Sequence, residues 1–101
     1  MSTERVRRRY LLAYDIRDDR RLRKVHKTAK AFGWSMQYSV FVCDVDAMEL
    51  IDLKLRLAEI LDHDEDSVAV IDVGLPQDRG RSCFTFLGIA PDLPTGGPVI
   101  I

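Results

Sequence analysis

The sequence predicts an α+β fold of order βαββαβ, with two helices on one face of an antiparallel sheet and one short extra strand near the C-terminus. Three observations predict it. An apolar run, Tyr10-Leu11-Leu12-Ala13-Tyr14, stops abruptly at a carboxylate, Asp15, and reads as a buried strand. Two stretches place apolar residues three and four apart, as helices with one buried face require. A β-branched run over residues 67–73 closes on Gly74 and reads as a late strand. This order is the ferredoxin-like arrangement.

The first strand is expected over residues 8–15, preceded by a basic, frayed start. Asp18 or Asp19 is placed to cap the helix that follows, because a short carboxylate accepts the free N–H groups of a first turn. Leu22, Val25, Ala29 and Phe32 form its apolar stripe, and Gly33 is expected to end it in the left-handed conformation. Residues 34–45 read as a hairpin or one bent strand, with a tight connection or bulge near Gln37-Tyr38-Ser39. Asp46 with Glu49 fits a capping box. Leu50, Leu53, Leu57 and Leu61 then form a core stripe, which Met48, Ile51 and Ile60 are expected to widen. His63-Asp64-Glu65-Asp66 is an acidic turn, and Cys83 to Leu87 reads as a last short strand. Residues 1–87 are expected to form a single domain, and residues 88–101 a Pro/Gly-rich tail without structure of its own, of which Val99-Ile100-Ile101 could dock on a neighbour. The sheet face away from the helices needs a cover, because Trp34, Tyr38 and Phe41 argue against a bare face; a second copy, giving a homodimer, is the expected one.

At 101 residues one domain is expected, with 47% hydrophobic and 31% charged residues, ordinary for a globular protein. No apolar run reaches a membrane span, and the basic start lacks the apolar segment and cleavage site of a signal peptide, so a cytoplasmic protein without a membrane role is expected. Cys43 and Cys83 are expected as buried thiols rather than a disulfide. The net charge of −1 hides a segregation: residues 1–30 carry a formal +7 and residues 44–72 a formal −8. Either one face attracts a polyanion, or the two helices attract each other or a partner copy.

The pattern YDIRDDRRLRKVHK, then FGWSMQYSVFVCDV, then EDSVAVIDVG, resembles a known family. It is the small core CRISPR-associated protein of spacer acquisition, companion of the CRISPR integrase, whose members are called CRISPR-associated endoribonucleases. The resemblance covers residues 8–75 and rests on Tyr14-Asp15, Arg20 or Arg21 with Lys24, Gly33, Gln37-Tyr38-Ser39-Val40-Phe41 and Glu65-Asp66-Ser67-Val68. It implies a symmetric homodimer of ferredoxin-like protomers in which the extra C-terminal strand packs on the partner's sheet. It also implies two roles that need not coincide: Mg2+-dependent cleavage of single-stranded RNA or duplex DNA, and a non-catalytic adaptor that holds the integrase and a DNA duplex.

For chemistry the sequence offers Asp15 as the catalytic and metal-binding residue. Mg2+ takes hard oxygen ligands and keeps several waters, so one or two carboxylates and substrate phosphates suffice. A lone Asp15 would hold the ion weakly, whereas two copies across a dimer axis would share it. Taken alone, Asp15 reads first as a turn or cap acid, and the family pattern reverses that preference. Arg17, Arg20, Arg21 and Lys24 are the candidate nucleic-acid contacts, giving affinity without sequence choice. Tyr14, Ser39 and Phe41 support the site: the Ser39 hydroxyl to orient a water or phosphate or simply bond at a strand bend, Phe41 to shape the dimer face. His26 and His63 read as surface histidines, and Asp66 as a turn acid facing basic groups. Asp64 to Asp66 lack the spacing of an EF-hand loop, and no Gly-rich phosphate loop, zinc pattern or Ser/His/Asp arrangement stands out. Three readings remain at this point: an adaptation protein with an endonuclease centre, a purely structural adaptor, and a toxin-like RNA-cleaving protein on the same fold.

Overall fold

The computed structural model describes residues 6–79 and 83–91 and the backbone of Val99–Ile100. Strand β1 (Arg8–Asp15) leads through a short loop into helix α1 (Asp19–Phe32). Then come β2 (Gly33–Gln37), β3 (Val40–Val45), helix α2 (Ala47–Ile60) and β4 (Ser67–Gly74), with two-residue strands β5 (Thr85–Phe86) and β6 (Val99–Ile100) beyond. The main sheet is antiparallel in the order β2-β3-β1-β4, so the expected α+β, ferredoxin-like topology is the one found.

β1 is the central strand, paired from Arg8↔Val45 to Ala13↔Val40 on one edge and from Arg9↔Gly74 to Asp15↔Ser67 on the other. Side chains alternate along a strand. Leu12 and Tyr14 therefore pack under the helices with Phe41, Cys43 and Val45 of β3, Val25 and Ala29 of α1, and Leu53 and Leu57 of α2. Leu22, Phe32, Leu50, Ile60 and Leu61 flank this core as expected, but Met48 and Ile51 do not. With Leu55 they point outward, more than half exposed, because α2 sets only one face on the sheet and these positions lie on the other side of the helix.

Arg9 and Asp44 lie on the opposite sheet face and form a cross-strand pair with two short hydrogen bonds, Arg9 Nε to Oδ1 at 2.7 Å and Nη2 to Oδ2 at 2.8 Å. Arg9 is 1% exposed, and its bonding to Asp44 raises its guanidinium pKa further. It is an ordered, paired residue of the strand, as the expected bounds have it. Further out on this face Trp34 and Ile71 are each more than two-fifths exposed.

The caps follow the sequence closely. The Asp18 carboxylate accepts from Arg21 N at 2.9 Å. Asp46 and Glu49 exchange both bonds of a capping box. Residues 33–45 form a hairpin, with Tyr38 and Ser39 at its tip and a register shift between Ser35 and Gln37, so connection and bulge are both present. Gly33 needs a different reason from the expected one. Its backbone is extended (φ −168°, ψ −157°), not left-handed. A Cβ there would collide with the Val42 carbonyl oxygen and lie 2.7 Å from Cys43 Sγ, so glycine is required by the close approach of β2 to β3. The left-handed conformation occurs instead at Gly74 (φ 95°), where β4 ends.

Cys43 and Cys83 are free thiols. Burial pushes the Cys43 thiol up to about 12, so it is a protonated core filler, while Cys83 is only half-buried. The last predicted strand shrinks to Thr85–Phe86 and pairs in parallel with Val99–Ile100 of the same chain. The tail thus contributes a strand where none was expected, while residues 92–98 and 101 lie outside the described residues. Leu87 and Ile89 are exposed.

The Gly33 contact has a measurable consequence. Gly33→Ala should lower the unfolding free energy by roughly 1–3 kcal/mol in urea titrations, because backbone rather than a flexible side chain must give way. Retention of wild-type stability would mean that β2 can move off β3.

Candidate functional site

Tyr14 and Asp15 end the central strand, and adjacent strand residues face opposite sides. Tyr14 is buried under α1, and Asp15 turns to the open face. The Asp15 side chain is 70% exposed, and its nearest cation is Arg17, with Nη2 3.6 Å from Oδ2. Such an exposed pair is weak and leaves the carboxylate available. Ser39 is brought to the same strand end, because its carbonyl accepts from Tyr14 N at 3.0 Å. No group of three metal-ligating side chains forms among the described residues. One protomer therefore supplies a single hard-oxygen donor group to a cation, which fits half of a Mg2+ site that keeps most of its waters.

The four candidate cations separate. Arg17, Arg20 and Lys24 are exposed, and Arg17 reaches only Asp15. Arg21 is held elsewhere: Nε donates to Asp66 Oδ2 at 2.6 Å, and Nη2 to Asp66 Oδ1 at 3.2 Å and Glu65 Oε2 at 3.3 Å. Asp66 also accepts from the backbone N–H groups of Arg17 and Asp62, both at 2.9 Å. Its carboxylate is closed off from solvent although the turn around it is at the surface. The Arg21 guanidinium, ahead of these N–H groups, holds the Asp66 carboxyl well below the usual carboxylate range. Arg21 and Asp66 therefore clamp the start of α1 to the turn before β4 and fix the loop that carries Asp15 and Arg17. Asp66 is the turn acid facing basic groups that the sequence indicated.

Tyr14 and Phe41 belong to the core. Their rings lie 6.3 Å apart, and His26 meets Phe41 edge-on at 5.1 Å. His26 Nδ1 is 3.2 Å from the Tyr14 hydroxyl, whose pKa is raised by burial. Phe41 is fully buried beneath α1, so it does not shape a dimer face; its pairing with Leu12 turns it toward the helices. His26 is a half-buried partner of Tyr14 rather than an ordinary surface histidine. Its spacing, four after Leu22 and three before Ala29, marks the flank of the apolar stripe and was the available signal. His63, in contrast, is exposed, with Nε2 3.1 Å from the Ala58 carbonyl.

The family model for CRISPR associated protein Cas2 matches residues 8–80, nearly three quarters of the chain. The chain belongs to the Cas2 family. It is 42% identical over 65 residues to the CRISPR-associated endoribonuclease Cas2 of Geobacter sulfurreducens, covering 64% of this chain and 68% of that relative. It is 32% identical over 95 residues to the CRISPR-associated endonuclease Cas2 of Halalkalibacterium halodurans, covering 89% of this chain and 96% of that one. The crystal structure of Streptococcus pyogenes Cas2 at pH 6.5 superposes with a TM-score of 0.58 at 36% identity, over 61% of this chain and 81% of that one. The Cas2 match spans every site residue considered, from Tyr14 to Phe41, and the Arg21–Asp66 clamp.

The clamp predicts a pH dependence. The native pKa of Asp66 lies below the value of about 3.9 expected for an unfolded aspartate. Its contribution is therefore complete above that pH and is lost as pH falls toward the native pKa. Asp66→Asn should lower Tm by several degrees at neutral pH and flatten the acid limb of a stability–pH curve. A variant whose acid limb parallels the wild type would show that Asp66 does not carry this linkage.

Proposed function

We propose that this Cas2-family protein acts in CRISPR adaptation as a homodimeric, nucleic-acid-binding partner of the integrase, with a Mg2+-dependent endonuclease centre formed by two copies of Asp15. The observation that carries this reading is the exposed carboxylate at the exit of the central strand, on the sheet face away from the helices. Relatives at 42% and 32% identity are named endoribonuclease and endonuclease, which supports phosphodiester cleavage here, of RNA or duplex DNA. The exposed Trp34 and Ile71 on the open face favour a second copy as its cover. The cytoplasm is where such a protein meets invading nucleic acid; no helix among the described residues is long and apolar enough to cross a membrane.

Bound between two Asp15 carboxylates, Mg2+ would lower the pKa of a coordinated water and neutralise charge on the phosphate. The chain's own residues do the rest. Arg17 and Arg20, exposed beside the strand exit, bind phosphate oxygens and set the backbone in register. Arg21 acts as a positioning residue through Asp66. The Ser39 carbonyl fixes the strand end by its bond to Tyr14 N.

A second reading, an adaptor that holds integrase and DNA without cutting, is favoured by the exposed cations Arg20 and Lys24, which can hold phosphates with no chemistry at all. Cleavage of short RNA and duplex DNA with and without Mg2+ separates the two. Asp15→Ala should lower Mg2+-dependent cleavage by at least about a hundredfold while leaving binding intact; cleavage that survives the substitution removes Asp15 from the chemistry. Wild-type protein that binds but never cuts supports the adaptor. Arg17→Ala with Arg20→Ala should weaken duplex binding uniformly across sequences and reduce the salt slope by about 2. An unchanged slope would place the phosphates elsewhere.

A further inference from the structure

A groove of about 410 Å³ lies between the outer side of α1 and the hairpin tip. Leu22, Arg23, His26, Lys27, Lys30 and Tyr38 line it. Its size falls in the range of small-ligand sites, about 300–1,000 Å³. Three of the six lining residues are basic, Arg23, Lys27 and Lys30, and none has an ion pair among the described residues. Tyr38 is 78% exposed at the tip of the β2–β3 hairpin, an unusual place for a large aromatic ring. At the floor, His26 turns Nδ1 to the Tyr14 hydroxyl, and Nε2 has no partner among the described residues.

A flat aromatic face, a short apolar strip at Leu22 and a row of cations along one helix face match one chemistry. That chemistry is a nucleobase joined to phosphates. An aromatic platform accepts any base but only when the base is out of its duplex stack, and lysines and arginines track the backbone without reading sequence. We propose that this groove takes one unstacked nucleotide of a single-stranded nucleic acid, its base on Tyr38 and its phosphates on Arg23, Lys27 and Lys30. The assignment rests on the nucleic-acid reading above and adds to it a second contact, on the other side of the sheet from Asp15. Ser39, next to Tyr38, bonds Tyr14, and Asp15 follows Tyr14, so groove and carboxylate share one end of the sheet on opposite faces. A copy that covers the open face leaves the groove uncovered. A strand passing around this end of the sheet meets both.

Binding of a labelled short oligouridylate and of a short DNA duplex, measured in EDTA so that no cleavage intervenes, tests the assignment. Tyr38→Ala should weaken oligouridylate binding about tenfold, Tyr38→Phe should retain it within about twofold, and the duplex should be little affected by either. Lys27→Ala should lower the single-strand salt slope by about 0.7. The two readings fail separately: loss of the Tyr38 effect in EDTA touches only the groove, whereas loss of Mg2+-dependent cleavage with binding retained touches only the nuclease centre. Unchanged oligouridylate binding in Tyr38→Ala, or an equal loss on the duplex, overturns the stacking site. Displacement of the oligouridylate by micromolar free uridine monophosphate would assign the groove to a free nucleotide and overturn the strand assignment.

Discussion

Strand β1 is hydrogen-bonded along both edges, to β3 and to β4, and this fixes the direction of its last two side chains. A slip of one residue would send every side chain to the wrong face and unpack the helices. Leu12 and Tyr14 are committed to the helix-side core, so Asp15 is committed to the other side. The carboxylate is therefore held on a rigid element yet left exposed, the combination that a cation site requires. The loop after it is fixed as well. Asp66 receives Arg21 and the Arg17 N–H, tying the first turn of α1 to the turn before β4.

Electrostatics in this chain is divided between structure and surface. The formal excess of positive charge over residues 1–30 overstates what a polyanion would meet. Arg7 pairs with Glu49, Arg8 with Asp72, Arg9 with Asp44 and Arg21 with Asp66. Their acidic partners come from the segment that carries the formal negative excess, so part of the segregation is internal attraction, although none of these pairs joins the two helices to each other. What is left for a partner lies on α1 and in its leading loop: Arg17, Arg20, Arg23, Lys24, Lys27 and Lys30.

Much of the fold was legible because its signals are local. The Asp46–Glu49 box, the Asp18 cap, the stripe of α1 and the abrupt change at Asp15 are all read within a few residues. What escaped depends on partners far along the chain. Arg17, Arg20 and Arg21 look alike in sequence; only the pairing of Arg21 with Asp66, 45 residues away, takes one of them out of the phosphate-facing set. In Val40-Phe41-Val42-Cys43 both faces are apolar, so periodicity cannot tell which one meets the helices. The register against β1 decides it, placing Phe41 inside. Gly33 was correctly singled out for the wrong reason, since close strand approach leaves no local mark in the sequence. The parallel pairing of β5 with β6 joins a short strand that the sequence does show to a Pro/Gly-rich tail that carries no strand signal.

The account makes Asp15 half of a site, completed by a second copy across the open sheet face. Its most direct test is cleavage by mixed dimers. Wild-type and Asp15→Ala chains are unfolded together, refolded at varied ratios, and assayed with Mg2+ at fixed total protein. If the two carboxylates act as one site, activity falls with the square of the wild-type fraction, because a dimer carrying one Asp15 is inactive. Activity that falls in direct proportion to the wild-type fraction would show that each protomer works alone and would contradict the shared site.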